Sequence, residues 1–279
     1  MINRWIGIVT LGLMLSVNAA LMMRDVVPDW FAGTPPTSRA LDLRLGEDVE
    51  AQFGLFDQEG RRMGYAWTFA TRDEYLTKVR YQTVLESLRL PGDVVLPLLR
   101  VDTDVNYRGG NVIDSLRVRV HGFGATIRLD GEFYEPDHFP CKWQAGAQRG
   151  EFDLPADVTR ALGDVFRPFD SLMGLSVGRS WRMKLLNPLA GIVPDWGTRH
   201  VMSDSILVRV TGTEPMQYRG TTVQAFVLEA DKIRAWVAPN GQLIRQDFDL
   251  PLVGRLTLRD EPFDRDTRER LLQESLMRN

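Results

Sequence analysis

Few residues in this chain have the types and spacing that do chemistry. Glu135-Pro136-Asp137-His138 followed by Cys141 gathers two carboxylates, an imidazole and a thiol, the donor types that ligate zinc. Zinc sites draw on two spaced ligand pairs and this run has none, so a solvated loop is the plainer reading. Cys141 as a nucleophile needs a base held beside it by the fold, and His138 is near in sequence only. A lone cysteine reads better as a small buried hydrophobe. Asp102 and Asp104 stand two apart, on one face of a strand. That spacing suits a carboxylate pair, and equally any polar outer face of a sheet. Tyr65, Trp67 and Phe69 alternate along one segment. Together with Trp181 and Trp236 they are the candidate residues for a lipophilic ligand, although sheets bury such aromatics in ordinary cores.

No Gly-x-Ser-x-Gly nucleophile elbow is expected; there is no glycine-rich phosphate loop, no His-Glu-x-x-His and no Cys-x-x-Cys, and the three histidines (His121, His138, His200) are scattered. The expectation is a protein with no catalytic residues, no metal and no cofactor. Net charge is -3, and Arg4 is the only charged side chain before Arg24, so the remainder is mildly acidic. Such a domain has no electrostatic reason to hold a nucleic-acid backbone. One cysteine excludes an internal disulfide, leaving the fold to be held by its core.

The elements that must position these residues are strands. Val49, Ala51, Phe53 and Leu55 alternate, as do Met63, Tyr65, Trp67 and Phe69, with Asp57-Gln58-Glu59-Gly60 as the turn between them. Period two continues through residues 75–85, 101–107, 116–121 and 125–129, with turns expected at Gly109-Gly110-Asn111 and Asp130-Gly131. Residues 156–166 read as a short helix after Pro155, and residues 187–204 as a loop. A second meander spans 205–213, 221–230, 232–238, 242–249 and 255–259. Arg219-Gly220 and Asn240-Gly241 form its hairpins. Its inner face is expected to carry Val208, Val210, Val223, Ala225 and Val227. Residues 264–277 form a helix capped by Asp264 or Asp266, packing through Leu271, Leu272 and Leu276, and a candidate cover for the sheet around Trp236.

Residues 5–23 carry no charge. At 1.5 Å per residue they reach about 28 Å, enough to cross a bilayer's hydrocarbon core. A cleaved signal peptide has the same opening, with Val17-Asn18-Ala19 as its cutting context. The resumed apolar run Ala20-Leu21-Met22-Met23 favours an uncleaved anchor. The expected organisation is an anchor over 1–31, a linker over 32–42, an antiparallel β domain over 43–262 and a C-terminal helix over 263–279. The fold class is mainly β: a transmembrane helix, then a curved antiparallel sheet or open half-barrel with a short helix and a C-terminal helix.

Three stretches carry a family resemblance: LSVGRSWRMKLLNP (175–188), VRVTGTEPMQYRGTTVQAFVLE (208–229) and RAWVAPNGQLIRQDFDLPLVGRLTLRDE (234–261). Their order of strands and turns resembles uncharacterised exported β proteins built like the periplasmic lipoprotein carriers, whose sheet curls as an incomplete barrel around a helix. Gly64-Tyr65-Ala66-Trp67 fits the opening strands of such proteins. The resemblance implies a noncatalytic, membrane-anchored protein of the cell envelope. Its domain would lie outside the inner membrane and bind a lipophilic ligand or a partner protein. The alternatives are an accessory subunit of an inner-membrane complex without a ligand of its own, and, third, an envelope enzyme. The partners expected are the membrane, through the N-terminal helix, and a lipid or membrane protein, but no nucleic acid.

Overall fold

Period-two patterning produces strands nearly throughout. The computed structural model describes residues 14, 16–17, 32–36, 43–86, 88–90, 94–96, 98–108, 112–122, 125–135, 138–154, 162–164, 169, 172–186, 206–250 and 254–277. In chain order these form β1 (Asp48–Asp57), β2 (Arg62–Arg72), β3 (Leu76–Leu85), β4 (Leu88–Leu90), β5 (Val94–Leu96) and β6 (Leu99–Arg108). There follow β7 (Val112–Gly122), β8 (Ala125–Glu132), β9 (Phe139–Ala145), β10 (Gln148–Leu154), β11 (Leu162–Asp164) and β12 (Ser180–Leu186). The last are β13 (Ile206–Tyr218), β14 (Thr221–Ala230), β15 (Ile233–Val237), β16 (Leu243–Leu250), β17 (Gly254–Glu261) and the helix α1 (Arg265–Met277).

Fifteen of the strands make one sheet, ordered β10-β9-β8-β7-β6-β3-β2-β1-β17-β16-β15-β14-β13-β12-β11; β4 and β5 pair separately. All pairings are antiparallel except β11 with β12. The sheet is thus two meanders joined where β1 meets β17, in register from Gln52–Glu261 to Asp57–Leu256. Arg62 on β2 clamps Glu261 across this seam with two hydrogen bonds of 2.9 and 2.7 Å.

Chain connectivity dictates the curvature. Laid flat, fourteen inter-strand spacings of about 4.8 Å would separate β10 from β11 by about 67 Å. Only seven residues lie between Leu154 and Leu162, a reach of at most about 29 Å. The sheet must therefore curl toward closure while its two edge strands stay unpaired with each other. The core agrees: Phe53 and Leu55 (β1), Leu116 and Val118 (β7), Cys141 (β9), Trp181 (β12), Val208 (β13), Leu228 (β14) and Leu258 (β17) belong to one continuous cluster. Strands from both meanders face one interior.

Several expectations are corrected. Asp130 and Gly131 lie within β8 and not in a turn. Gly131 is there because a Cβ would sit 2.5 Å from Phe139 Cε1 and 2.7 Å from Cys141 Sγ on the paired strand. The expected helix over 156–166 holds a strand at Leu162–Asp164, its other residues lying outside those described except for these three. Met63 does not share a face with Tyr65. Leu55 pairs with Gly64 and Phe56 with Arg62, so Met63 is the extra residue of a bulge and turns into the core. Register splits the expected inner face of the second meander: Val210 pairs with Leu228, which leaves Val227 on the opposite face, and a bulge follows between Val210 and Gly212. Val208 and Val210 stay in the core, whereas Val223, Ala225 and Val227 join Trp236 on the outer face.

The second meander otherwise follows the expected boundaries to within two residues, except that β13, expected to end at 213, runs on to Tyr218. Its Arg219-Gly220 turn has positive φ at both residues, 48° and 81°, as a two-residue type I′ hairpin demands. Asp264 caps α1, its carboxylate accepting from Thr267 N at 3.1 Å. Among the described residues no helix is long and apolar enough to cross a membrane. Of residues 5–23 only Met14, Ser16 and Val17 are described. The turn at 109–111 and the loop at 187–204 also lie outside the described residues. Gly33 in the linker is not free of the sheet; its N–H donates to Ser180 O at 2.8 Å, forming a parallel bridge to β12.

Candidate functional site

The five candidate aromatics fall in three places. Trp181, 1% exposed, is packed in the interior. Tyr65, Trp67 and Phe69 point from β2 to the outer face, where they form a cluster with Val84, Leu98, Phe263, Leu271 and Leu272. Trp236 lies on the outer face of β15 within the other meander. They do not line one groove, and among the described residues the core face is packed with buried side chains.

The β2 aromatics are covered by α1, and what docks the helix is largely polar. The pairings Gln52–Trp67, Trp67–Gln82 and Gln82–Asp102 place these four side chains in one row across β1, β2, β3 and β6. Trp67 Nε1 donates to Gln52 Oε1 at 2.9 Å, and the same oxygen accepts from Asp264 N at the helix start, also at 2.9 Å. Gln82 Oε1 accepts from Arg268 Nη2 at 2.6 Å, while its amide donates to Asp102 Oδ1 at 2.8 Å. Arg100 pairs with Asp102 at 2.7 Å and donates to Ser275 Oγ at 3.1 Å. The network satisfies buried polar groups that burial would otherwise penalise. It also fixes α1 over β2 and β3. The expected cover of Trp236 by this helix is therefore corrected: Leu271 seats on Trp67 and Val84.

Arginines hold Trp236 in place of a helix. Arg234 and Arg245 stand 4.9 and 5.0 Å from its ring centre, at cation–π distance. Its indole N–H donates to Glu214 at 2.7 Å, and Arg234 donates to the same carboxylate. Beside it, a surface groove of about 600 Å³ is lined by Arg209, Glu229, Lys232, Arg234, Trp236 and Asp247 among others. Register explains its character: Arg209, Glu229, Arg234 and Asp247 follow one another across β13–β16, alternating in sign. Asp247 is held by a two-pronged contact from Arg245, 2.8 Å at each oxygen.

The acidic loop does not assemble. His138 is exposed and pairs with Asp153 at 3.2 Å, whereas Cys141 is fully buried. Burial, with the Asp153 charge adding to it, pushes the thiol up to about 12. That is far from the thiolate a nucleophile or zinc ligand requires. Asp137 lies outside the described residues, among which no group of three or more His, Cys, Asp or Glu could hold a metal. Asp102 and Asp104 are each engaged by an arginine, Asp104 by Arg80 at 2.6 Å.

One further signal stands in residues 174–178, Gly-Leu-Ser-Val-Gly, which have the Gly-x-Ser-x-Gly spacing of a nucleophile elbow. Its presence corrects the expectation that the chain lacks this spacing, but its setting is not that of an elbow. An elbow follows a strand and opens a helix; this segment is a turn leading into β12. Arg179 N donates to Ser176 O at 3.1 Å, and Arg179 Nη1 reaches Gly174 O at 2.6 Å. The described histidines, His121 and His138, lie on β7 and before β9, and neither makes a hydrogen bond to Ser176.

Fold and surface define a mainly β protein: a large, open, barrel-like antiparallel sheet whose described core face is closely packed, with a C-terminal helix on its outer face. No family model matches the chain, and no curated protein matches it. Among solved structures it is similar to a β-barrel-like protein of domain of unknown function DUF1849 from Brucella abortus. The two share 11% identity at a TM-score of 0.48, over 80% of this chain and 100% of that one.

Proposed function

We propose that this is a noncatalytic, N-terminally anchored envelope protein whose β domain binds a partner protein through its outer face. The observation that carries this reading is the close packing of the core face among the described residues. A lipid carrier needs an apolar cavity, but Trp181, Phe53, Phe169 and Leu228 occupy the core face. The lipoprotein-carrier likeness implies a helix within the half-barrel; α1 lies on the other side of the sheet. The groove beside Trp236 is a fitting contact surface, since paired charges around an aromatic can exchange partners at little desolvation cost. An accessory role in an inner-membrane complex shares this support.

The test uses the full-length chain. Photo-crosslinkers placed at Arg209 and Lys232 are expected to trap one discrete protein adduct in cells, absent when the probe is moved to the exposed turn at Glu59. Absence of a groove-specific adduct overturns the reading. Native mass spectrometry from detergent supplies the second arm, in which a stoichiometric lipid would restore the carrier alternative. The anchored, exported topology is tested separately by a C-terminal reporter, which a purely cytoplasmic signal would exclude.

A further inference from the structure

Charges on the outer face alternate in sign along one row of the first meander and fail to do so in the row beside it. Across β3, β6, β7, β8, β9 and β10 the register aligns Arg80, Asp104, Arg117, Asp130, Lys142 and Glu151. Each neighbour is opposite in sign, and the row closes as ion pairs: Arg80–Asp104 at 2.6 Å, Arg117–Asp130 at 3.0 Å and Lys142–Glu151 at 3.8 Å. The adjacent row on the same face runs Asp102, Arg119, Arg128, Gln144, Arg149. Here Arg119 and Arg128 stand directly opposite each other. Like charges in that position destabilise a sheet.

The only acid in the row, Asp102, is taken up by Arg100 and Gln82 under α1. Among the described residues Arg119, Arg128 and Arg149 are exposed and make no ion pair. Another pair of opposed arginines, Arg245 and Arg259, is relieved by the two-pronged Asp247 contact and by Phe56 under Arg259. The β7–β10 row has no such relief. His121, next along β7, reports the resulting field. Burial lowers its pKa first; Asp102 opposes that, and Arg100, Arg119 and Arg128 lower it further.

Arg128, Gln144 and Arg149 also line a surface concavity of about 440 Å³. Two strand spacings, about 10 Å, separate the two arginine backbones. Their side chains can converge on one group above Gln144, and Arg119 extends the line to about 14 Å. Guanidinium forks match phosphate oxygens two at a time, and the neighbouring acids Asp130 and Glu151 are already paired. We infer that this concavity binds a phosphate-bearing ligand, clamped between Arg128 and Arg149 with Arg119 beside them. Unlike the groove beside Trp236, where charges are balanced, this site presents uncompensated cations.

The experiment is calorimetric titration of the full-length chain in uncharged detergent with three probes. These are inorganic pyrophosphate, short-chain phosphatidylglycerol, and short-chain phosphatidylcholine as the zwitterionic reference. Saturable binding of pyrophosphate alone assigns a soluble phosphate ligand. Binding of phosphatidylglycerol above the phosphatidylcholine reference assigns a lipid headgroup. In either case Arg128→Gln and Arg149→Gln should each weaken binding about tenfold or more, as expected for losing a charge-assisted donor. Arg117→Gln, in the balanced row, should leave it within about twofold. No saturable binding of pyrophosphate or phosphatidylglycerol, or an equal loss in Arg117→Gln, overturns the proposal. Unchanged far-ultraviolet circular dichroism in all three variants keeps a folding defect from imitating a binding loss.

Discussion

Gly131 and His121 show how single residues on neighbouring strands answer to opposite faces. Gly131 has no Cβ because Phe139 and Cys141 fill that space from β9. Gly131→Ala should therefore overpack the core and lower stability by about 1–3 kcal/mol, read as a lower urea midpoint with unchanged slope. His121 faces outward, its Nδ1 3.2 Å from Thr126 Oγ1. Its folded pKa is held below the ordinary 6.5, first by burial and then by the surrounding arginines against the pull of Asp102. Between the folded and unfolded values the unfolded chain binds more protons, so this contribution is present above about 6.5 and lost as pH falls through the folded value. Urea midpoints should decline over that window, and His121→Gln should flatten the decline. A decline of the same size in the variant would remove His121 as its cause. The unreactive Cys141 was legible as a buried hydrophobe from its solitude, but the reason for Gly131 was not. A glycine after aspartate looks like a turn until its cross-strand neighbours are known.

At the scale of elements, α1 joins a short apolar contact to a polar dock. Leu271 is fully buried on Trp67 and Val84, so Leu271→Ala should cost about 2–5 kcal/mol. Truncation after Pro262 should do more. It uncovers Tyr65, Trp67 and Phe69, at about 25 cal/mol per Å² of apolar surface, and leaves Gln52, Gln82 and Arg100 without their partners Asp264, Arg268 and Ser275. Differential scanning calorimetry of the truncated chain tests this; an unchanged melting temperature would mean that the helix does not stabilise the domain. Both the existence and the start of the helix were readable from local signals, the Asp264 cap and the leucine spacing. Its docking place was not, because Gln52, Gln82 and Asp102 come together only through pairing across four strands. The same limit hid the bulge at Met63 and the pairing of Val210 with Leu228, which turns Val223, Ala225 and Val227 outward. Period two fixes faces only along an unbroken strand, and one extra residue exchanges them.

For the whole molecule, the packed core face of the described residues leads to the broadest expectation. Trp181→Ala should leave a cavity between the two meanders, destabilise the chain by about 3–5 kcal/mol, and create saturable binding of a small apolar probe such as benzene. Native protein binding the same probe equally well would mean that the interior is already open, returning the carrier reading to the front. By itself the sequence determined that the protein is mainly β, where the opening and closing hairpins run, that Asp57–Gly60, Arg219-Gly220 and Asn240-Gly241 reverse the chain and that a helix follows the last strand. Those features arise from alternation, turn chemistry and capping, each settled within a few residues. Only the tertiary structure decided that β1 closes on β17, that seven residues bring the sheet edges near each other, and which side chains share a row on the outer face. The clamp at Arg128 and Arg149 belongs to this second group. No spacing along the chain brings residues 119, 128 and 149 together; the hydrogen-bond register of four neighbouring strands does.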